Sequence, residues 1–171
     1  PGMGYSIADA FYLTLRGGDA GQSDIRLRKE YGPGFDLAAF NNQWHKGMGQ
    51  VLEESGVPKK PGVDALLRYL ADNGYRMAVA SATPAPRILR NLEQAGIAGY
   101  FGAVIGGDMV KNGKPDPEIF LAAAAALGLE AGQCMAVEDS FNGVRSAHTA
   151  GCVTVMVPDL VQPEEEVRSL C

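Results

Sequence analysis

The chain has 171 residues and a net charge of −5, with 15 Lys and Arg against 20 Asp and Glu. That acidic balance argues against a nucleic-acid backbone or an anionic membrane surface as the main partner, and leaves room for a local basic pocket. A hydrophobic fraction of 46% supplies a core and excludes a disordered chain. The three cysteines, Cys134, Cys152 and Cys171, have no C-x-x-C spacing. Neither a zinc site nor a disulfide framework is signalled, and a reducing cytoplasm is expected. No apolar run approaches the ~20 residues of a membrane span. The start, Pro1-Gly2-Met3-Gly4, carries no basic-then-apolar leader and no initiating Met, so a processed or trimmed piece of a longer protein is expected.

The first third reads as helical. Ile7 to Leu15 is a short apolar-rich helix, and Ser23 to Tyr31 is a charged one stopped by Gly32-Pro33-Gly34. Asp36 can then cap a longer helix whose Leu37, Phe40, Trp44, Met48, Val51 and Leu52 recur at steps of three and four, which places Trp44 and Met48 in a core. The stretch Gly56-Val57-Pro58-Lys59-Lys60-Pro61-Gly62 is a break. A boundary there divides a helical unit, 1–57, from a second unit, 58–171.

The second unit alternates. Val63, Leu66, Leu67 and Leu70 line one helix, ended by Asn73-Gly74. Arg76 to Ser81 is a strand, and Pro84 to Ala95 is a helix with Ile88, Leu89 and Leu92 inward. Phe101 to Gly107 is a second strand, followed by an Ala-rich helix from Pro117 to Leu127. Cys134 to Asp139 is a third strand, Ser140 to Ala150 a helix, Cys152 to Val157 a fourth strand, and Pro163 to Leu170 a terminal helix. Apolar strands alternating with helices of this length predict an α/β fold: a Rossmann-like parallel sheet with right-handed crossovers.

In such a sheet the working residues lie just past the C-terminal ends of strands. The first strand runs into Ser81-Ala82-Thr83-Pro84, where hydroxyls and free N–H groups at a helix start suit an anion; Thr83 could equally serve only as a cap. After the second strand, Lys114 precedes Pro115-Asp116-Pro117, a rigid helix start that would hold its ammonium near the sheet edge. Lys111 is its competitor and is expected to be solvated. The third strand runs directly into Glu138-Asp139-Ser140. Two adjacent carboxylates behind a buried strand are costly to desolvate, and a hard cation such as Mg²⁺ would neutralise them; capping alone needs one polar residue, which Asp139 or Ser140 could supply. His148 and Asn142 read as ordinary helix residues, although Asn142 could support the loop of the carboxylate pair.

These three segments, in order, resemble motifs two, three and four of the haloacid dehalogenase (HAD) superfamily, nearest its beta-phosphoglucomutase and phosphoglycolate phosphatase branch. The likeness extends to Lys60-Pro61-Gly62-Val63 and to Ala147-x-x-Ala150-Gly151. The resemblance implies a HAD-like core with an inserted helical cap, and a phosphatase acting on a small phosphorylated metabolite, a sugar phosphate above all, as a monomer or weak dimer. It implies that Ser81 and Ala82 hold the phosphoryl oxygens, Lys114 neutralises the phosphoryl group, and Glu138 and Asp139 hold Mg²⁺. In the implied cap, Arg16, beside Gly17-Gly18, and the His45-Lys46 pair are candidates near substrate, although a solvated helix face is the expected home of His45 and Lys46. Phosphoglucomutase-type transfer, haloacid dehalogenation and a binding module without turnover are the alternatives.

The family's first motif, an apolar strand followed by Asp-x-Asp, has no counterpart. No Asp-x-Asp occurs anywhere; Asp116-Pro117-Glu118 comes nearest. The first core strand and the expected nucleophile are therefore absent from this sequence, and an N-terminally incomplete enzyme is expected. A parallel sheet without that central strand would leave two ladders unpaired.

Overall fold

The structure is a computed structural model that describes residues 8, 11, 15, 20–159 and 162–171. The predicted helix over 7–15 lies largely outside the described residues. Two helices open the described chain: α1, Ala20–Tyr31, and α2, Leu37–Ser55. Gly32 leaves α1 at φ 85°, a left-handed conformation that a residue with a Cβ adopts only at a cost. Asp36 then caps α2, its Oδ1 accepting from Ala39 N at 3.0 Å.

Leu27, Phe35 and Leu37 form a buried cluster with Phe11, Leu15, Tyr31 and Phe40 around it. The apolar stripe of α2 runs beyond this cluster. Trp44 stacks on Phe40 at 6.3 Å between ring centroids, yet Trp44 and Met48 are 41% and 42% exposed rather than core. Helical periodicity located the stripe, but only the first turns of α2 meet a described neighbour that covers it.

After the break come α3 (Val63–Asp72), β1 (Ala78–Ser81), α4 (Ala85–Gln94), β2 (Ala103–Gly106), α5 (Glu118–Ala126), β3 (Met135–Glu138), α6 (Phe141–Thr149), β4 (Val153–Met156) and α7 (Glu165–Arg168). Each of these elements falls inside the segment expected from the sequence, and the strands are shorter by a residue or two at each end, except that β1 ends at Ser81 as expected. Leu66 and Leu89 are exposed, so Leu67 and Ile88 are the residues that α3 and α4 bury.

The strands pair in parallel, β1 with β2 and β3 with β4, in two separate two-stranded sheets. No ladder joins β1 to β3 among the described residues. The main core fills the space between the two pairs and the helices: Ile105, Ile119, Phe120, Ala123, Ala136 and Ala147. On the other side β3, expected to be a buried strand, and its partner β4 are open to solvent. Met135, Val137 and Val153 are 66%, 58% and 57% exposed, because no described element lies over that face. The chain end is fixed by Val167, fully buried, and by Arg145 on α6 gripping Glu166 on α7 with two hydrogen bonds. No helix among the described residues is long and apolar enough to cross a membrane.

Candidate active site

The C-terminal ends of β1 and β3 face one cavity of about 1210 Å³. Ser81 and Ala82 line it from β1, Lys114 from the loop before α5, and Glu138 and Asp139 from β3. The three strand-end segments singled out in the sequence therefore converge, although they lie up to 58 positions apart in the chain.

Lys114 is the centre of the arrangement. It is 6% exposed, and its Nζ donates to Ala80 O at 3.2 Å and pairs with Glu138 Oε1. It also lies 4.8 Å from the centroid of the Phe120 ring, which favours a cation at that point. One ammonium thus ties the end of β1 to the end of β3. Lys111, its sequence competitor, is exposed.

The Glu138 carboxylate is fully engaged. Its Oε1 holds Lys114, and its Oε2 accepts from Asp139 N (3.1 Å), Ser140 N (3.2 Å) and Ser140 Oγ (3.0 Å). Ser140 is also the cap of α6, accepting from Gly143 N at 3.1 Å. The carboxylate therefore rests on the start of α6, where N–H groups and the helix dipole favour negative charge. Gly143 leaves the room it occupies, since a Cβ there would overlap Glu138 Cδ and both oxygens.

Ser81 Oγ accepts from Thr83 N at 3.2 Å, which leaves its proton to donate. Thr83 is not the helix cap. Asp108, at the exit of β2, reaches across and accepts from Ala85 N at 2.8 Å, while Gly107 N donates to Thr83 O at 3.1 Å. The close approach needs both glycines of Gly106-Gly107. A Cβ on Gly106 would come within 2.9 Å of Ala85 Cα, and one on Gly107 within 3.0 Å of Ala82 C. Reading each strand end alone missed this brace; its only sequence signal is Gly-Gly-Asp directly after an apolar strand.

Three further cations line the cavity that the strand-end rule did not select: Arg26 from α1, Lys60 from the break, and Arg145 from α6. Lys60 pairs with Asp159 and Arg145 with Glu166. The Glu166 pairing and the neighbouring Glu164 hold the Arg145 guanidinium even more firmly protonated than usual. Asn142 also lines the cavity. His45 and Lys46 do not: both are exposed on α2, and His45 Nδ1 meets the Arg87 guanidinium at 3.0 Å. Partial burial and then the Arg87 charge hold the imidazole below its usual pKa. Arg16 lies outside the described residues.

The carboxylates suit a hard cation in type, since Mg²⁺ takes oxygen donors. In number they fall short. Asp139 stands exposed at the cavity, Glu138 is bound to Lys114, and no group of three or more His, Cys, Asp or Glu is placed to hold a metal among the described residues. A complete site needs further oxygen donors.

A family model described as a haloacid dehalogenase-like hydrolase matches residues 13–151. The chain belongs to the haloacid dehalogenase-like hydrolase family. It is 34% identical over 115 residues to a phosphorylated carbohydrates phosphatase of Thermotoga maritima, covering 67% of this chain and 53% of that protein. It is 40% identical over 110 residues to a phosphoglycolate phosphatase of Salmonella typhi, covering 64% of this chain and 43% of that protein. The HAD-like chain thus spans about half the length of the curated relatives it matches. In fold it is similar to CbbY from Rhodobacter sphaeroides in complex with phosphate, with TM-score 0.77 and 23% identity over 92% of this chain and 73% of that one.

Proposed function

We propose that this HAD-like chain is part of a Mg²⁺-dependent phosphatase acting on a small phosphorylated metabolite, a sugar phosphate first. The reading is carried by Lys114: a buried ammonium at a cavity shared by a hydroxyl-bearing helix start and a carboxylate pair. The names of the relatives, phosphatases of phosphorylated carbohydrates and of phosphoglycolate, support the substrate class.

In this reading 58–171 is the catalytic core and 1–57 its helical cap. The phosphoryl group sits before Ser81 and Ala82. Ser81 Oγ–H and the Ala82 N–H hydrogen-bond its oxygens, since Thr83 N and Ala85 N are already given to Ser81 Oγ and Asp108. Lys114 sets a positive charge beside them, strengthened by the scarcity of water around it. Asp139, with Glu138 beside it, would hold Mg²⁺, which when bound supplies further neutralisation of phosphoryl charge.

The nucleophile is assigned to an Asp-x-Asp strand seated between β1 and β3. Two observations support that place: among the described residues β1 and β3 each pair on one side only, and their ends line the same cavity. The same strand would add the oxygen donors that the metal site lacks.

The test assays this chain beside an N-terminally extended one, with p-nitrophenyl phosphate and Mg²⁺ and then a panel of sugar phosphates. Turnover confined to the extended chain is the expected result. An extended chain that carries Asp-x-Asp and hydrolyses no phosphate ester would overturn the reading in favour of a binding module. Asp139→Asn in the extended chain should abolish Mg²⁺-dependent turnover, and full activity in that variant would remove Asp139 from the metal site.

A further inference from the structure

Glu118 is used by none of the chemistry above, yet both of its carboxylate oxygens are committed. Oε1 accepts from Lys111 N and Oε2 from Asn112 N, each at 2.9 Å. Those two N–H groups, Lys111 first, hold the carboxyl below the usual carboxylate range, so it grips the loop as an anion. The loop closes on itself around that grip. Asp116 N donates to Gly113 O at 3.1 Å, and Glu118 N donates to Asp116 Oδ1 at 3.0 Å. From the other side Ser146 Oγ, fully buried on α6, donates to Asp116 O at 2.6 Å.

Lys114 stands at the apex of this closed loop, and its side chain must cross from there to Ala80 O and Glu138. A lysine stem has four rotatable bonds, so the position of its ammonium depends on where the backbone starts it. We propose that Glu118 is the positioning residue for Lys114: its carboxylate straps the Lys111–Asn112 turn and so fixes the backbone from which the ammonium reaches the cavity. Its importance to turnover rests on the phosphatase reading, whereas the positioning itself does not.

The test reads the lysine directly. Reductive methylation of the intact chain, followed by peptide mass spectrometry, gives a rate for each ammonium. A buried ammonium reacts only through local opening, so its rate reports how firmly its loop is held. Lys29, Lys46, Lys59 and Lys60 are exposed and serve as internal controls.

In Glu118→Ala, Lys114 should react several-fold faster while the four controls keep their rates. Glu118→Gln should fall between, because its amide oxygen keeps one acceptor for the turn. An unchanged Lys114 rate in folded Glu118→Ala would overturn the proposal. So would a rise shared by all five lysines, which would mark a general loosening. If the alanine variant does not fold, the glutamine variant decides by the same two criteria. Failure of the phosphatase reading would show as absent turnover in the extended chain and would leave these rates unaffected.

Discussion

Gly143→Ala sets two effects of opposite sign against each other. Gly143 lies in the first turn of α6, and replacing a helical glycine by alanine normally stabilises by about 1 kcal/mol. Here the added Cβ would overlap the Glu138 carboxylate. That carboxylate is the end of a flexible side chain and could swing aside, so the cost lies in the bonds it would give up. Moving it separates a pair whose side chains are 7% and 8% exposed, and releases the bonds from Asp139 N, Ser140 N and Ser140 Oγ. Breaking a buried ion pair costs about 3–5 kcal/mol. After the helix gain, a net loss of roughly 2–4 kcal/mol is expected. For a chain of this length that lowers Tm by roughly 4–16 °C. Urea and thermal unfolding of the two proteins measure it. A variant as stable as the parent, or more stable, would show that Gly143 is an ordinary helix residue and that the cradle for Glu138 does not exist.

Gly107→Ala should lose roughly 1–3 kcal/mol in urea unfolding, because its Cβ meets backbone atoms of Ala82 that cannot swing away; parental stability would refute the close approach. Arg87→Ala should raise the His45 pKa toward its unperturbed value of about 6.5, since it removes both a neighbouring charge and part of the burial. An unchanged imidazole titration by NMR would dissolve the contact between α2 and α4. The folded pKa of Glu118 lies below its unfolded value, so its contribution to stability is present above about pH 4.3 and is lost as pH falls through the folded pKa. Acid unfolding of Glu118→Gln should lack that part of the slope, and identical acid limbs would refute the grip on the loop.

Much of this protein is written locally. Strand and helix positions follow from apolar runs, glycine stops and proline starts, and those signals act over a few residues. Ser81, Lys114, Glu138 and Asp139 were legible because a parallel sheet sends the ends of its strands to one edge, so position after a strand already implies position in the cavity. Other features arose only when distant segments met. Asp108 caps α4 from the exit of β2, and Glu118 and Ser146 fix the loop of Lys114. Gly143 clears space for a side chain five positions back on another element. None of these carries a periodicity or a motif, because each is defined by a partner that chain order does not reveal. Burial diverged for the same reason. Trp44, Met48, Met135 and Val137 are apolar at regular spacing, but spacing names a face and only a packed neighbour covers it.

Composition and charge admitted a core and left room for a local basic pocket within an acidic chain; the core is present, and the cavity brings four basic side chains together with two carboxylates. The sequence by itself determined the element order, the parallel α/β class, and the residue types that an anion and a hard cation require. The tertiary structure decided that one buried ammonium joins two sheet fragments, that one carboxylate is spent on holding it, and that the fragments stand apart. The physical reason is that local propensity acts within a turn or two, whereas the burial of Lys114 and Glu138 is bearable only because each neutralises the other.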